Sequence, residues 1–295
     1  MGERFLDISE QPARLSIRHR QLVIGVDGSE QTTPLNDVSA LVVSNPAVSY
    51  TQGVLAGICE AGGALVVCDE KHLPIGMLVS LLGHTTQGER LTAQAEAPPT
   101  LKKRLWQQIV RSKVQAQGAC LRRVRGEDFG LFRLARDVRS GDTSNIEGQA
   151  ARRYWPALFG TSFHRDRNRA DQNRLLNYGY AVLRAMAARA ICGAGLHPSL
   201  GLHHHNRYDA YCLADDLMEP YRPAVDRVVL GMCDTRGPEG TLDAAAKRQL
   251  IGGIIGTRHA VENETAVLPD ILAHAAASLA QVYLGRRRGL CLPVV

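Results

Sequence analysis

Aromatic side chains make up only 5% of the 295 residues, and the seven cysteines (Cys59, Cys68, Cys120, Cys192, Cys212, Cys233 and Cys291) contain no C-x-x-C pair. A zinc ribbon and a disulfide scaffold are therefore excluded, and most of these thiols sit in apolar runs such as Val66-Val67-Cys68, where cysteine behaves as a small core residue. No apolar run reaches the roughly eighteen residues of a spanning helix, so no membrane association is expected. Met1 to Asp7 carry acids and no long apolar stretch, so neither a signal nor a transit peptide is expected and a cytoplasmic location follows. The 28 glycines and 13 prolines follow no period, and 45% of the chain is hydrophobic, which excludes collagen-like and disordered classes. What remains is a globular chain of one large or two modest domains.

The formal charge of +6 hides an asymmetry. Residues 1–98 hold 6 basic and 11 acidic side chains, a net of −5, whereas residues 99–295 hold 29 and 18, a net of +11. The excess is densest early in the second part, in Lys102-Lys103-Arg104, Arg122-Arg123-Val124-Arg125, Arg152-Arg153 and the run Arg165, Arg167, Arg169. One such cluster is an ordinary solvated face; four within about seventy residues form the electrostatic footprint of a phosphodiester-backbone binder.

Hydrophobic periodicity divides the chain in the same place. Short β-branched runs at Leu15–Ile17, Leu22–Ile24, Val38–Val43, Ala64–Val67 and Ile75–Leu82 predict strands, with a helix over Tyr50–Ala61 that stops at Gly62-Gly63. Residues 84–98 are polar and then proline-marked and read as a linker. Beyond Pro99 the chain reads as helical: Leu101, Leu105, Ile109 and Val114 recur at near-helical spacing with Lys102, Lys103, Arg111 and Lys113 on other faces. Leu175–Ile191, Leu242–Ile255 and Val267–Leu284 repeat the theme. The expected fold is α+β: a small β-rich, sandwich-like N-terminal domain (1–83), a linker (84–98) and a larger all-α domain (99–295).

Two segments concentrate ligating groups. In Ser144-Asn145-Ile146-Glu147-Gly148, Ser144 and Glu147 fit a capping box, so Glu147 taken alone is equally a helix cap. In the second, His203-His204-His205 precede a helix whose stripe is Leu213, Leu217, Tyr221 and Val225, while Asp216 and Glu219 are i, i+3 partners on another face. Two carboxylates so placed repel unless a cation lies between them, and Pro220 breaks the helical hydrogen bonding beside Glu219. Carboxylates with one imidazole suit Mg²⁺ or Mn²⁺; zinc held by histidine and Cys212 is the competing reading and lacks a second cysteine at ligand spacing. A hard divalent ion beside an arginine-rich surface is what phosphodiester chemistry requires.

Together, N-I-E-G-Q-A-A-R-R-Y-W around Glu147, N-R-L-L-N-Y-G-Y-A-V-L-R-A from Asn173, G-L-H-H-H at 201–205 and D-L-M-E-P-Y-R-P at 216–223 resemble the CRISPR-associated adaptation endonuclease family, the integrase subunit that inserts spacers into CRISPR arrays, and are most similar to members from type II systems. The resemblance implies a catalytic metal site of Glu147, His204 and Glu219, with Asp216 or His205 as alternative or supporting ligands; His203 would serve instead if the register slipped by one. It implies phosphate contacts from Arg152 and Arg222, to which the basic clusters add Arg153, Arg165, Arg167 and Arg169 as expected DNA contacts, and a part for Asn177 or Tyr178 in ordering the site. It further implies a homodimer that binds double-stranded DNA, both prespacer and array, with a small CRISPR-associated bridging protein and the RNA-guided effector nuclease of the same system as partners. The expected reaction is transesterification, in which a prespacer 3′-hydroxyl attacks an array phosphodiester. A structure-selective nuclease without joining activity and a non-enzymatic architectural DNA-binding protein are the alternatives.

Overall fold

The computed structural model describes residues 4–70, 74–82, 87–237, 241–261 and 264–293. Its N-terminal part contains β1 (Arg4–Ile8), β2 (Arg14–Arg18), β3 (Gln21–Val26), β4 (Ser29–Pro34), β5 (Val38–Val43), β6 (Ser49–Tyr50), α1 (Gln52–Glu60), β7 (Ala64–Cys68) and β8 (Pro74–Val79). They form two four-stranded sheets, β1-β5-β7-β8 and β4-β3-β2-β6. The first is parallel except at β8, and the second antiparallel except where β2 meets β6.

The two-residue period of a strand decides what each face touches. Leu41 and Val43 of β5 and Leu65 of β7 join Leu15, Leu22 and Ile24 of the second sheet and Val54 and Ile58 of α1 in one core. Val42 and Val66 point the other way, onto Ala185 of the helical part. Gly63, between α1 and β7, comes so close to β5 that a Cβ would lie 2.7 Å from the Val38 carbonyl oxygen, so the tight turn there admits only glycine.

The helical part comprises α2 (Gln87–Ala95), α3 (Pro99–Arg125), α4 (Leu131–Arg136), α5 (Ile146–Phe159), α6 (Gln172–Gly193), α7 (Cys212–Met218), α8 (Arg222–Arg236), α9 (Ala244–Ile255), the hairpin β9 (Arg258–Val261) and β10 (Glu264–Val267), and α10 (Leu268–Tyr283). Proline at its first position starts α3 and Gly126, at φ 87°, ends it. The α3 helix packs against α4, α5 and α8 and is the spine of the core; its Trp106, Ile109 and Leu121 are fully or almost fully buried.

Two expectations change. Of the expected linker, residues 84–86 lie outside the described residues, but 87–95 are helical. The α2 helix docks through polar groups: Arg90 donates to the Ala194 carbonyl (2.6 Å), and Gln94 donates to the carbonyls of His197 (2.9 Å) and Leu200 (3.1 Å) while accepting from the His197 amide (2.8 Å). An element fastened by buried polar side chains leaves no apolar stripe in the sequence to betray it. The C-terminal part is also not all-α, because β9 and β10 pair antiparallel from Arg258↔Val267 to Val261↔Glu264.

Candidate active site

The α5 helix begins at a compact cap. Asn145 adopts a left-handed backbone (φ 50°) and its Oδ1 accepts from the Gly148 amide (3.0 Å), while Asp142 accepts from the amides of Ile146 (2.8 Å) and Glu147 (3.0 Å). The capping-box reading of Ser144 and Glu147 is thereby overturned: Asp142 and Asn145 satisfy the helix start, and the Glu147 carboxylate turns away from it. A Cβ at Gly148 would stand 2.6 Å from Asn145 Oδ1, so a side chain there would displace the capping amide.

The other acids come from a break between α7 and α8. Pro220 interrupts the helix, and Glu219–Tyr221 form a single 3₁₀ turn. Glu219, only 3% exposed, is aimed inward. There it meets a residue that spacing alone assigns to a solvated basic face: Lys113 of α3. The Lys113 ammonium donates to Glu147 Oε1 at 2.5 Å and lies 2.5 Å from Glu219 Oε2. Arg222 flanks the other oxygen, Oε1, at 2.9 Å. The contact with Oε2 is an ion pair without hydrogen-bond alignment, so this buried oxygen has no hydrogen-bond partner.

Charge is balanced locally. Burial pushes the Lys113 ammonium toward neutrality, but Glu219 and Glu147 more than offset it and hold it above the ordinary lysine range. Burial pushes the Glu219 carboxyl up, and Arg222 and Lys113 together bring it below its ordinary value.

Asp216 is wholly buried and belongs to the backbone of the histidine loop rather than to an open ligand position. Its Oδ2 accepts from the amides of Leu202 (2.6 Å) and His203 (3.0 Å); its Oδ1 accepts from the His204 amide (3.1 Å) and lies 2.7 Å from His204 Nδ1. The loop closes on Gly201, where a Cβ would lie 2.4 Å from the His204 carbonyl oxygen. Hydrogen bonding to Asp216 raises the His204 pKa, with Glu219 adding to the effect. With Nδ1 engaged, Nε2 is the ring nitrogen left for another partner. Of the neighbouring histidines, His203 stacks on Trp106 (centroids 4.3 Å apart, planes 4° apart), and His205 is exposed. Trp106 and Lys113 are seven residues apart on α3, hence on one face of it.

The remaining expected residues divide further. Arg152, Arg153, Arg167 and Arg169 are exposed, Arg169 beside Asp171 at 3.6 Å. Arg165 is instead tied to Asn173 (2.8 Å) and Asn177 (2.7 Å), and Arg222 to Glu219, so neither is a free surface cation. Tyr178 donates to Asp7 of β1 (3.0 Å) and Asn177 to the Arg167 carbonyl (2.8 Å), so both hold the fold rather than the acids. Cys212 contacts the carbonyl oxygens of Asn206 and Asp209.

The arrangement brings two carboxylates from α5 and the 3₁₀ turn onto one cation, with His204 close enough to Glu219 for each to shift the other's protonation. Among the described residues no group of three His, Cys, Asp or Glu side chains already encloses a metal position. The donor set nevertheless suits a hard divalent ion: two carboxylates converge on one positive charge, and Glu219 Oε2 lacks a hydrogen-bond partner.

A family model for the CRISPR-associated protein Cas1 matches residues 6–240. The chain belongs to the Cas1 family. Among Cas1 proteins, it is 39% identical over 241 residues to the CRISPR-associated endonuclease Cas1 of Neisseria meningitidis, covering 81% of this chain and 79% of that one. The Cas1 fold is equally plain in solved structures at 17% identity. A casposase bound to an integration product superposes with a TM-score of 0.78 over 99% of this chain and 93% of its own. A Cas6-RT-Cas1–Cas2 complex superposes with a TM-score of 0.76, covering 99% of this chain and 36% of that one. Among the described residues no helix is long and apolar enough to cross a membrane.

Proposed function

We propose that this protein is a metal-dependent DNA endonuclease and integrase of CRISPR adaptation, which joins the 3′-hydroxyl ends of a prespacer duplex to the array by transesterification. The observation that carries the reading is the sharing of one half-buried ammonium by Glu147 and Glu219, whose sequence positions are far apart, beside the His204 imidazole. Glu147, His204 Nε2 and Glu219 are the residues that would hold Mg²⁺ or Mn²⁺, which when bound polarises the scissile phosphate and lowers the cost of the charge that builds on it.

The protein's own groups set the rest. Asp216 fixes the imidazole through Nδ1 and the loop amides, so the ring presents Nε2 without conformational search. Arg222 holds Glu219 ionised and in place. In the reaction the attacking 3′-hydroxyl gives up its proton to solvent as its oxygen bonds phosphorus, the bridging 3′-oxygen of the cut strand leaves and takes a proton from solvent, and one phosphodiester replaces another. No covalent enzyme intermediate is required. The exposed arginines Arg152, Arg153, Arg167 and Arg169 supply backbone affinity without sequence preference. A homodimer acting with Cas2, on prespacer and array DNA, is the assembly proposed; the Cas1–Cas2 complex and the product-bound casposase among the structural neighbours support its Cas2 and DNA partners.

The test is joining of labelled prespacer duplex to a supercoiled array plasmid by wild-type, Glu147→Gln and His204→Ala proteins. A drop in joined product of at least about a hundredfold, with duplex affinity within about threefold of wild type, is expected. Normal joining by His204→Ala would refute the site, and cut but never joined product would refute the integrase.

A further inference from the structure

A concave site separate from the acidic cluster lies between α3, α8 and β9. A cavity of about 290 Å³ is walled by Arg123 of α3, Arg227 of α8, Arg258 and His259 of β9, and by Pro220 and Pro223 around the 3₁₀ turn. Among the described residues no carboxylate lines it. Arg258 uses one nitrogen on the Thr265 carbonyl across the hairpin (3.2 Å). His259 Nε2 is buried without a hydrogen-bond partner, its ring set edge-on to Tyr221 (centroids 5.9 Å apart). Arg227 is half-buried.

Such a cluster is expensive as it stands. Burial and then Arg123 hold the Arg227 guanidinium below its ordinary range, and burial followed by Arg227 brings His259 down to about 4. Elsewhere in this protein a half-buried cation is answered by acids, as Lys113 is by Glu147 and Glu219. Here the half-buried Arg227 has the exposed Arg123 and Arg258 beside it and, among the described residues, no carboxylate in the lining, next to an imidazole nitrogen with an unused hydrogen bond. Guanidinium forks match tetrahedral phosphate oxygens bidentately, and the cleft has room for a phosphoryl group with the atoms attached to it. Arg258, His259 and their strand lie beyond residues 6–240, the part that matches the family model.

We propose that Arg123, Arg227, Arg258 and His259 form a phosphate-binding site distinct from the acidic centre, taking either a free phosphate or a backbone phosphate of bound DNA. The first source stands independently of the proposed function; the second rests on it.

The test uses the full-length protein and two probes. In the first arm inorganic phosphate and pyrophosphate are titrated while the His259 imidazole signals are followed by NMR. In the second, duplex DNA affinity is measured across a salt series. If the ligand is free phosphate, the His259 signals shift saturably and Arg227→Gln weakens binding at least about tenfold. If it is a DNA phosphate, Arg123→Gln and Arg227→Gln each lower the salt slope by about one. Arg227→Lys, which keeps the charge but loses the fork, covers the case in which the glutamine variant does not fold. Glu147→Gln must retain whichever signal is found, so loss of joining and loss of this site are separately visible. No saturable shift with either anion together with an unchanged slope, or a response equal in wild type and both Arg123→Gln and Arg227→Gln, overturns the site.

Discussion

Glu219 Oε2 lies 2.5 Å from the Lys113 ammonium, at the break between α7 and α8 where Pro220 makes a continuous helix impossible. With Arg222, which has the larger effect, this ammonium explains how a carboxylate that is 3% exposed stays ionised. It also places a monovalent cation between the carboxylates proposed to hold a divalent one.

Replacing that cation therefore has two opposed effects. Lys113→Met leaves Glu147 and Glu219 facing each other with only Arg222 beside Glu219, and removing one partner of a buried pair costs on the order of 3–5 kcal/mol. The apo protein is expected to melt several degrees lower. Added Mn²⁺, freed from competition with the ammonium, should raise the variant's melting temperature by more than it raises that of wild type. Differential scanning calorimetry with and without Mn²⁺ checks both; an equal Mn²⁺ response in the two proteins contradicts the competition.

Asp216 is expected to behave as a positioning residue. In Asp216→Ala three backbone amides and the His204 ring lose their acceptor, at roughly 1–3 kcal/mol for each donor left unsatisfied. Joining should fall by at least about a hundredfold with duplex affinity little changed, and Asp216→Asn, which keeps one acceptor oxygen, should recover part of the rate. Single-turnover joining assays at saturating DNA measure this.

The buried Asp226 carboxyl accepts hydrogen bonds from Tyr154 (2.8 Å) and Tyr180, and burial pushes its pKa up to about 6. An acid with a raised native pKa keeps its proton longer in the folded than in the unfolded chain. Stability contributed by this group is then greatest below about pH 4 and falls as the pH rises to about 6, by roughly 3 kcal/mol at most. Urea unfolding between pH 4 and 7 should show this slope in wild type and lose its Asp226 share in Asp226→Asn. A variant with the wild-type slope would assign the titration to another group.

The arginines separate by environment. Glutamine at the exposed Arg152, Arg153, Arg167 or Arg169 should weaken duplex binding and reduce its salt slope by up to about 0.9 for each phosphate no longer neutralised, with melting temperature unchanged. Arg165→Gln should instead lower stability, because Arg165 bridges Asn173 and Asn177. Filter binding over a salt series, paired with thermal melts, distinguishes the two behaviours.

The division of the chain, the strands Val38–Val43 and Ala64–Cys68, and the long helices were legible because each is written as a local period of two or 3.6 residues. Glu147, His204 and Glu219 could be singled out from their motifs. The helix Gln87–Ala95 could not, since polar side chains rather than a stripe dock it, and the β9–β10 hairpin escaped because its strands are only four residues long. Lys113 and Trp106 carried no local mark: on a helix with so many basic residues, nothing in the spacing separates the lysine that turns inward from those that stay in water.

Hydropathy, charge and turn chemistry thus determined by themselves a β-rich, acidic first part and a helical, basic second part, because these properties are set by residues within a few positions of one another. Only the folded chain decided which charges meet. Glu147 and Glu219 share one lysine, Asp216 accepts from the amides of the histidine loop, and three arginines gather without an acid among the described residues. Electrostatic partners are chosen by distances in space, and helix packing brings together groups that the sequence keeps tens of residues apart.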